Sequence, residues 1–548
     1  MATSCNQDDE NLCSACVQID IASLFRQACA REDATHLGRL EDIMGRASYC
    51  AFCETIIASL SSPLPYQMTD ATSLLRLLQN DGAGTDCWLY SYCIFEDSKA
   101  SIYGQEKTCR LAISTLHPDK NFDRKHDPVR RSHSGNIQLS ASSAASLSLS
   151  SRFHGRAIAR RRVDLQQARK WLDICKTTHG SICEHPGFQD KMPFTMERPE
   201  DLTVINVHRM CLQTLPPNAH YVALSYCWMD KPVMVNTKSI RDALHTEEAF
   251  LKTSQISSTI QEAIECTKEL GQDFLWVDAM CITQDDSIHK MQQINQMDRV
   301  YGNASLTIVA ATPGKHAKER LPGFSSLGHF RNQYVKKVQG LELMIPFGCL
   351  EDLLFRTRWD ARGWTFQEAY LSRRLLFFTE CQAYFQCSCG VCCEDSVGEY
   401  HHPAAFVHHS INLWNPRTCY GADDHDNFGD LWLLFSRYSS ESDAFRAYCN
   451  FISVYMRRQL SYPEDILDAV SGLLKVFERS MDTSFISGLP IRWFDHALLW
   501  ELYDPASRRK SRTLGETEQR FPSWSWTGWS AGSEPPFWLD PDECGQAN

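Results

Sequence analysis

The sequence predicts an α/β protein: a parallel sheet flanked by helices, preceded by a mixed region and followed by a largely helical one. Two observations carry this prediction. Between residues 221 and 312 strand-like and helix-like segments alternate, the pattern of a parallel sheet with crossover helices. The strand-like segments are nearly continuous apolar runs, as central strands buried on both faces should be.

Residues 1 to about 60 read as helical, because "CSACVQIDIASLFRQACA" and "CAFCETIIASL" repeat apolar residues at helical spacing. Strand-like pieces follow at "CWLYSYCIFE" and "TCRLAIST", which makes residues 1–119 a mixed, cysteine-containing region. Residues 120–163 combine a serine-rich run with basic flanks, a composition that predicts a disordered linker. Residues 164–220 supply a short helix carrying Trp171, Leu172, Cys175, His179 and Cys183, then the extended segment "LTVINVHRM". The alternating unit spans 221–371: strand 221–230, helix 259–271, strand 274–282, helix 289–304 and strand 305–312. Residues 372–548 carry amphipathic helical patterns and a tryptophan-rich end, "FPSWSWTGWSAG". Its alternate tryptophans predict one face of a strand closing a core.

The 548 residues carry a net charge of −12, which argues against wholesale nucleic-acid binding while leaving room for a local basic patch. The N-terminus is acidic and polar, unlike a signal peptide, and no apolar run approaches a membrane span. The expectation is an intracellular, cytoplasmic protein, with the nucleus left open. Its 24 cysteines are then reduced thiols or metal ligands rather than a disulfide framework. Cys13-x-x-Cys16 and Cys50-x-x-Cys53 have zinc-ligand spacing for a four-thiolate structural site. Paired buried thiols in a helical hairpin are the alternative. Cys175, His179 and Cys183 fall at i, i+4 and i+8, on one helix face only if the helix continues through Gly180. The cysteines of "CSCGVCC" show no clear ligand pattern.

Three blocks in order resemble the fungal heterokaryon-incompatibility (HET) domain family. "YVALSYCWMD" is similar to its Tyr-x-Ala-Leu-Ser-Tyr-x-Trp-Gly opening, with Met229 in place of the usual glycine. "LWVDAMCITQDDSIHKMQQINQMDRVYGNASLTIVAA" and "RGWTFQEAYLSRRLLFF" resemble its middle and closing blocks. The family in turn resembles TIR domains, and the same residues allow that comparison. Ser225, Tyr226 and Asp230 match the first-strand box, and Trp364 with Glu368 keeps the Trp–Glu spacing of a later one.

The resemblance implies a TIR-like (flavodoxin-like) sheet, a role in non-self recognition and programmed cell death, and NAD as the substrate. Cleaving a nicotinamide N-glycosidic bond builds positive charge on the ribose, which a nearby carboxylate can stabilise. Glu368 would be that catalytic carboxylate, with Ser225, Tyr226, Asp230, Asp278 and Trp364 around the substrate. Two structural readings stand beside this one. Glu368 could pair with Arg362 and Arg373 to anchor a helix, and Asp278 could cap the following loop. Asp285 and Asp286 could contribute to a divalent-metal site, but adjacent acids before a helix are far more often its N-terminal caps. The family also implies partners: self-association, or another incompatibility protein. A non-enzymatic assembly module of the same fold is the alternative function.

Overall fold

The computed structural model describes residues 11–27, 33–61, 86–93, 108–115, 134–150, 153–184, 197–228, 234–253, 255–312, 320–325, 331–348, 350–354, 357–388, 390–397, 441–502, 507–509, 521–530 and 537–538. Fourteen strands build two sheets. In chain order they begin β1 (Thr35–Arg39), β2 (Asp86–Cys93), β3 (Cys109–Ser114), β4 (Ser134–Leu139), β5 (Thr203–Asn206), β6 (Cys211–Thr214) and β7 (Val222–Ser225). They continue β8 (Phe274–Trp276), β9 (Leu306–Ala310), β10 (Val335–Val338), β11 (Leu341–Met344), β12 (Arg374–Phe378), β13 (Ala383–Cys387) and β14 (Gly390–Cys393).

The first sheet runs β1-β2-β3-β4-β11-β10, antiparallel throughout. Helix Ala51–Ser61 lies on it and buries Phe52, Ile56 and Leu60 against Leu111, Ile137 and Leu343. That helix approaches β4 so closely that a Cβ on Gly135 would lie 2.4 Å from the Ser59 backbone, so only glycine fits there. The hairpin β10–β11, from within the 221–371 unit, completes this N-terminal sheet.

The serine-rich run is therefore not the disordered linker its composition predicts. Within it, residues 134–150 form β4 and the helix Ala141–Ser146, and residues 153–163 are likewise described; 120–133 and 151–152 lie outside the described residues. Two of its serines, Ser140 and Ser143, are buried and hold backbone. Ser140 accepts from the Ser143 amide at 3.1 Å, and Ser143 Oγ accepts from the Glu342 amide at 2.8 Å.

The second sheet runs β14-β13-β12-β9-β7-β8-β5-β6. Its four central strands are parallel, and read in chain order they lie 2-1-3-4. The outer pairs β12–β13, β13–β14, β5–β8 and β5–β6 are antiparallel. The whole is a mixed α/β layer in which the expected parallel strands occupy the centre. Both faces are covered. Along β12, Leu376 and Phe378 enter the large core while Leu375 and Phe377 enter a smaller one on the opposite face, the period-two alternation of a strand.

Three expectations change. The strand expected over 274–282 ends at Trp276, and Asp278–Cys281 is a helical turn closed by Cys281 N–H to Val277 O at 2.7 Å. A short apolar run does not by itself separate a buried strand from a buried turn. The region after 371 opens with β12–β14 before its helices Glu441–Met456 and Ser471–Ser480. The tryptophan-rich end turns through a 3-10 segment, Trp526–Gly528, so Trp526 is buried while Trp524 is exposed. Among the described residues no helix is long and apolar enough to cross a membrane.

Candidate functional site

The chain order 2-1-3-4 places the topological switch beside β7, and in open α/β sheets ligand crevices form there, at the carboxyl ends of the strands. Ser225 is the last residue of β7, and Asp278 follows β8 by two positions. Glu368 reaches the same place from the helix Trp364–Leu371. Gly363 sets that helix, because a Cβ there would lie 2.5 Å from Leu460.

Ser225 Oγ donates a short hydrogen bond to Glu368 Oε2 and accepts one from the indole of Trp359 at 2.7 Å. Trp359, Ser225 and Glu368 thus form a directed chain of buried polar groups. Tyr301 lies beside the glutamate, and its hydroxyl bonds Leu224 O at 3.2 Å. Arg362 donates to Tyr226 O at 3.1 Å and places its positive charge near Glu368 and Asp278. Asp278 accepts from the Trp228 indole at 2.8 Å and from the Ala279 amide at 2.7 Å.

Burial dominates the electrostatics. It pushes the Glu368 carboxyl up to about 7, against the opposing pull of Arg362 and the Ser225 hydroxyl. Burial likewise raises Asp278, with Arg362 opposing, and raises Tyr226, where the neighbouring Asp278 adds to the effect. Glu368 is only 6% exposed, whereas Trp228 is 37% exposed and Tyr226 half-buried. The constellation therefore approaches solvent on the Trp228 side.

Of the residues singled out from the sequence, Ser225, Tyr226, Asp278 and Glu368 gather here. Asp230 lies outside the described residues. Trp364 is engaged elsewhere: its indole donates to Asp465 at 3.2 Å. The indole bonded to Ser225 belongs to Trp359, five residues earlier, which the motif spacing did not indicate. Arg373 is also engaged away from the glutamate, with Glu184 and Gly302 O. Asp286 caps the following helix, accepting from the Ile288 and His289 amides, while Asp285 accepts from the Lys238 amide of a neighbouring turn.

A second constellation lies in the first sheet's core. Cys13, Cys16, Cys50 and Cys53 are all buried, and their sulfurs lie within 4.8 Å of one another. The Cys13–Cys53 and Cys16–Cys53 separations are 3.8 and 3.6 Å. Zinc–sulfur bonds of about 2.3 Å at tetrahedral angles put sulfurs about 3.8 Å apart, so the four thiols fit a zinc ion. Cys53 is drawn down to about 5 by the Cys16 thiol, aided by Arg46 and opposed by burial.

Residues 221–368 match the family described as "Heterokaryon incompatibility protein (HET)". A 135-residue stretch is 27% identical to "Heterokaryon incompatibility protein 6, OR allele" of Neurospora crassa. That alignment covers 23% of this chain and 19% of the relative, so the chain spans about a fifth of that protein's length. No solved structure matches.

Proposed function

We propose that this protein, with its HET-type region at 221–368, acts in fungal non-self recognition, restricting growth or killing the cell when triggered. The HET region would work as a TIR-like NAD glycohydrolase, with Glu368 as its catalytic carboxylate. The observation that carries this reading is the position of Glu368: a buried carboxylate bonded to Ser225 at the carboxyl end of the first central strand. There, held among fixed donors, an ionised Glu368 would stabilise positive charge developing on a ribose, and the nicotinamide would leave as a neutral ring needing no general acid. Trp359 and Ser225 orient the carboxylate, and Arg362 and Tyr301 govern its charge. Tyr226 and Asp278 would face the substrate. The zinc fitted by the four N-terminal thiols would be structural, since four protein ligands leave no open position.

The 6% exposure of Glu368 favours a second reading, in which the same fold is a non-enzymatic assembly module and the glutamate is part of its interior. In the enzymatic reading, self-association would open or complete the cleft.

Expression toxicity with NAD quantification separates the two. Glu368→Gln keeps shape and removes charge, so it should abolish NAD loss and toxicity while the chain stays folded. A folded Gln variant that still kills would transfer the function to the assembly module. Because only the ionised form stabilises the cation, NAD loss in the wild type should rise as pH passes through about 7.

A further inference from the structure

We propose that Cys175, His179, Cys183 and Cys387 bind one structural zinc ion, which clamps the helix before the HET region to the hairpin after it. Each residue offers one ligand atom, and the four atoms lie within 4.8 Å of one another. Cys175, His179 and Cys183 are buried and Cys387 is half-buried. Nδ1 of His179 lies 3.6 Å from Cys183 Sγ and 3.5 Å from Cys387 Sγ. Zinc bonded to nitrogen at about 2.05 Å and to sulfur at about 2.3 Å, with tetrahedral angles, places those atoms about 3.6 Å apart. The two separations from His179 match those the ion requires.

Local structure explains how ligands so far apart in sequence meet. Helix Leu165–Thr178 turns Cys175 inward with Trp171 and Leu172, and His179 is its C-cap. Gly180 takes a φ of +51°, a left-handed conformation that ends the helix. The four-residue turn Ser181–Glu184 then brings Cys183 back beside His179. Cys387 arrives as the last residue of β13, 208 residues after His179. Three thiolates around zinc carry one net negative charge, and a cation is already in place to meet it. Buried Arg374 donates from Nε to Cys175 Sγ at 3.1 Å, while its other nitrogens engage Ser305 O and Glu184. Four protein ligands close the coordination sphere, which assigns the ion to architecture rather than hydrolysis.

Zinc content of the purified full chain tests this directly. Cys175→Ser and Cys387→Ser should each lose one zinc per chain, whereas Cys392→Ser, on the neighbouring strand, should keep the wild-type content. The Cys13→Ser/Cys16→Ser pair should leave this ion in place, which keeps the two sites distinguishable. Full zinc retention in Cys387→Ser, or no zinc remaining once the N-terminal site is removed, would overturn the proposal. Wild-type protein gives a readout that needs no variant: a chelator should make Cys183 and Cys387 newly reactive to alkylation, read by peptide mass spectrometry. Reactivity unchanged by the chelator would also overturn it.

Discussion

Glu368 holds its proton up to about 7 in the folded chain, whereas an unfolded glutamate releases it near 4.5. Between those values the folded state binds more protons than the unfolded state, so this group's contribution lowers stability as pH rises through the window. At 1.36 kcal/mol per unit the effect is on the order of 3 kcal/mol by pH 8. Glu368→Gln should therefore gain stability relative to wild type between pH 5 and pH 8, measured by denaturant unfolding; a difference independent of pH would rule out a buried, proton-holding acid. Ser225→Ala tests the other side of the same bond. It removes the acceptor of the Trp359 indole and the donor to Glu368 together. Leaving those buried groups unsatisfied should cost about 1–3 kcal/mol each.

At the scale of elements, the helix Trp364–Leu371 is the link between sheet and C-terminal region. Phe366 is fully buried on it, 4.5 Å from the ring of Phe451 and 5.3 Å from that of Tyr455. The Arg458 guanidinium lies 4.8 Å over the same Phe366 ring and pairs with Asp360 at 2.6 Å. Phe366→Ala should destabilise by about 3–5 kcal/mol. Because Glu368 shares that helix, the NAD hydrolysis proposed above should fall with it. β4 offers a second test. Gly135→Val would drive a side chain into the Ser59 backbone, and the variant should unfold at lower denaturant than wild type. In limited proteolysis, residues 134–150 should resist cleavage, the opposite of what a solvated serine-rich linker would do.

For the whole molecule, the consequence is that the family-matched stretch, residues 221–368, is not a separable bead. Its hairpin β10–β11 buries Val338, Leu341 and Leu343 in the core of the first sheet, paired to β4 and covered by Ala51–Ser61. A fragment beginning at residue 153 would expose that apolar surface and an unpaired strand edge, so it should be insoluble where the full chain is not. A soluble, monomeric fragment would show the two sheets to be independent.

The sequence by itself determined the elements whose signals are local. The alternation between 221 and 312, the buried parallel strands, the helix cap at Asp286, and the pairing of two CxxC motifs were all readable from spacing. So was the meeting of Ser225, Tyr226, Asp278 and Glu368, through the family resemblance. Which tryptophan reaches Ser225 emerged only from the fold: Trp359 and Trp364 stand on separate short helices, broken at the extended Arg362, and the motif spacing pointed to Trp364. It alone brought Cys387 to His179 and gave the hairpin of 335–344 to the N-terminal sheet. It also ordered serines that composition assigns to solvent. The physical reason is common to these cases. Periodicity and capping act over a few residues and leave their mark in the chain, whereas contacts across hundreds of residues depend on which faces the folded elements bury against one another.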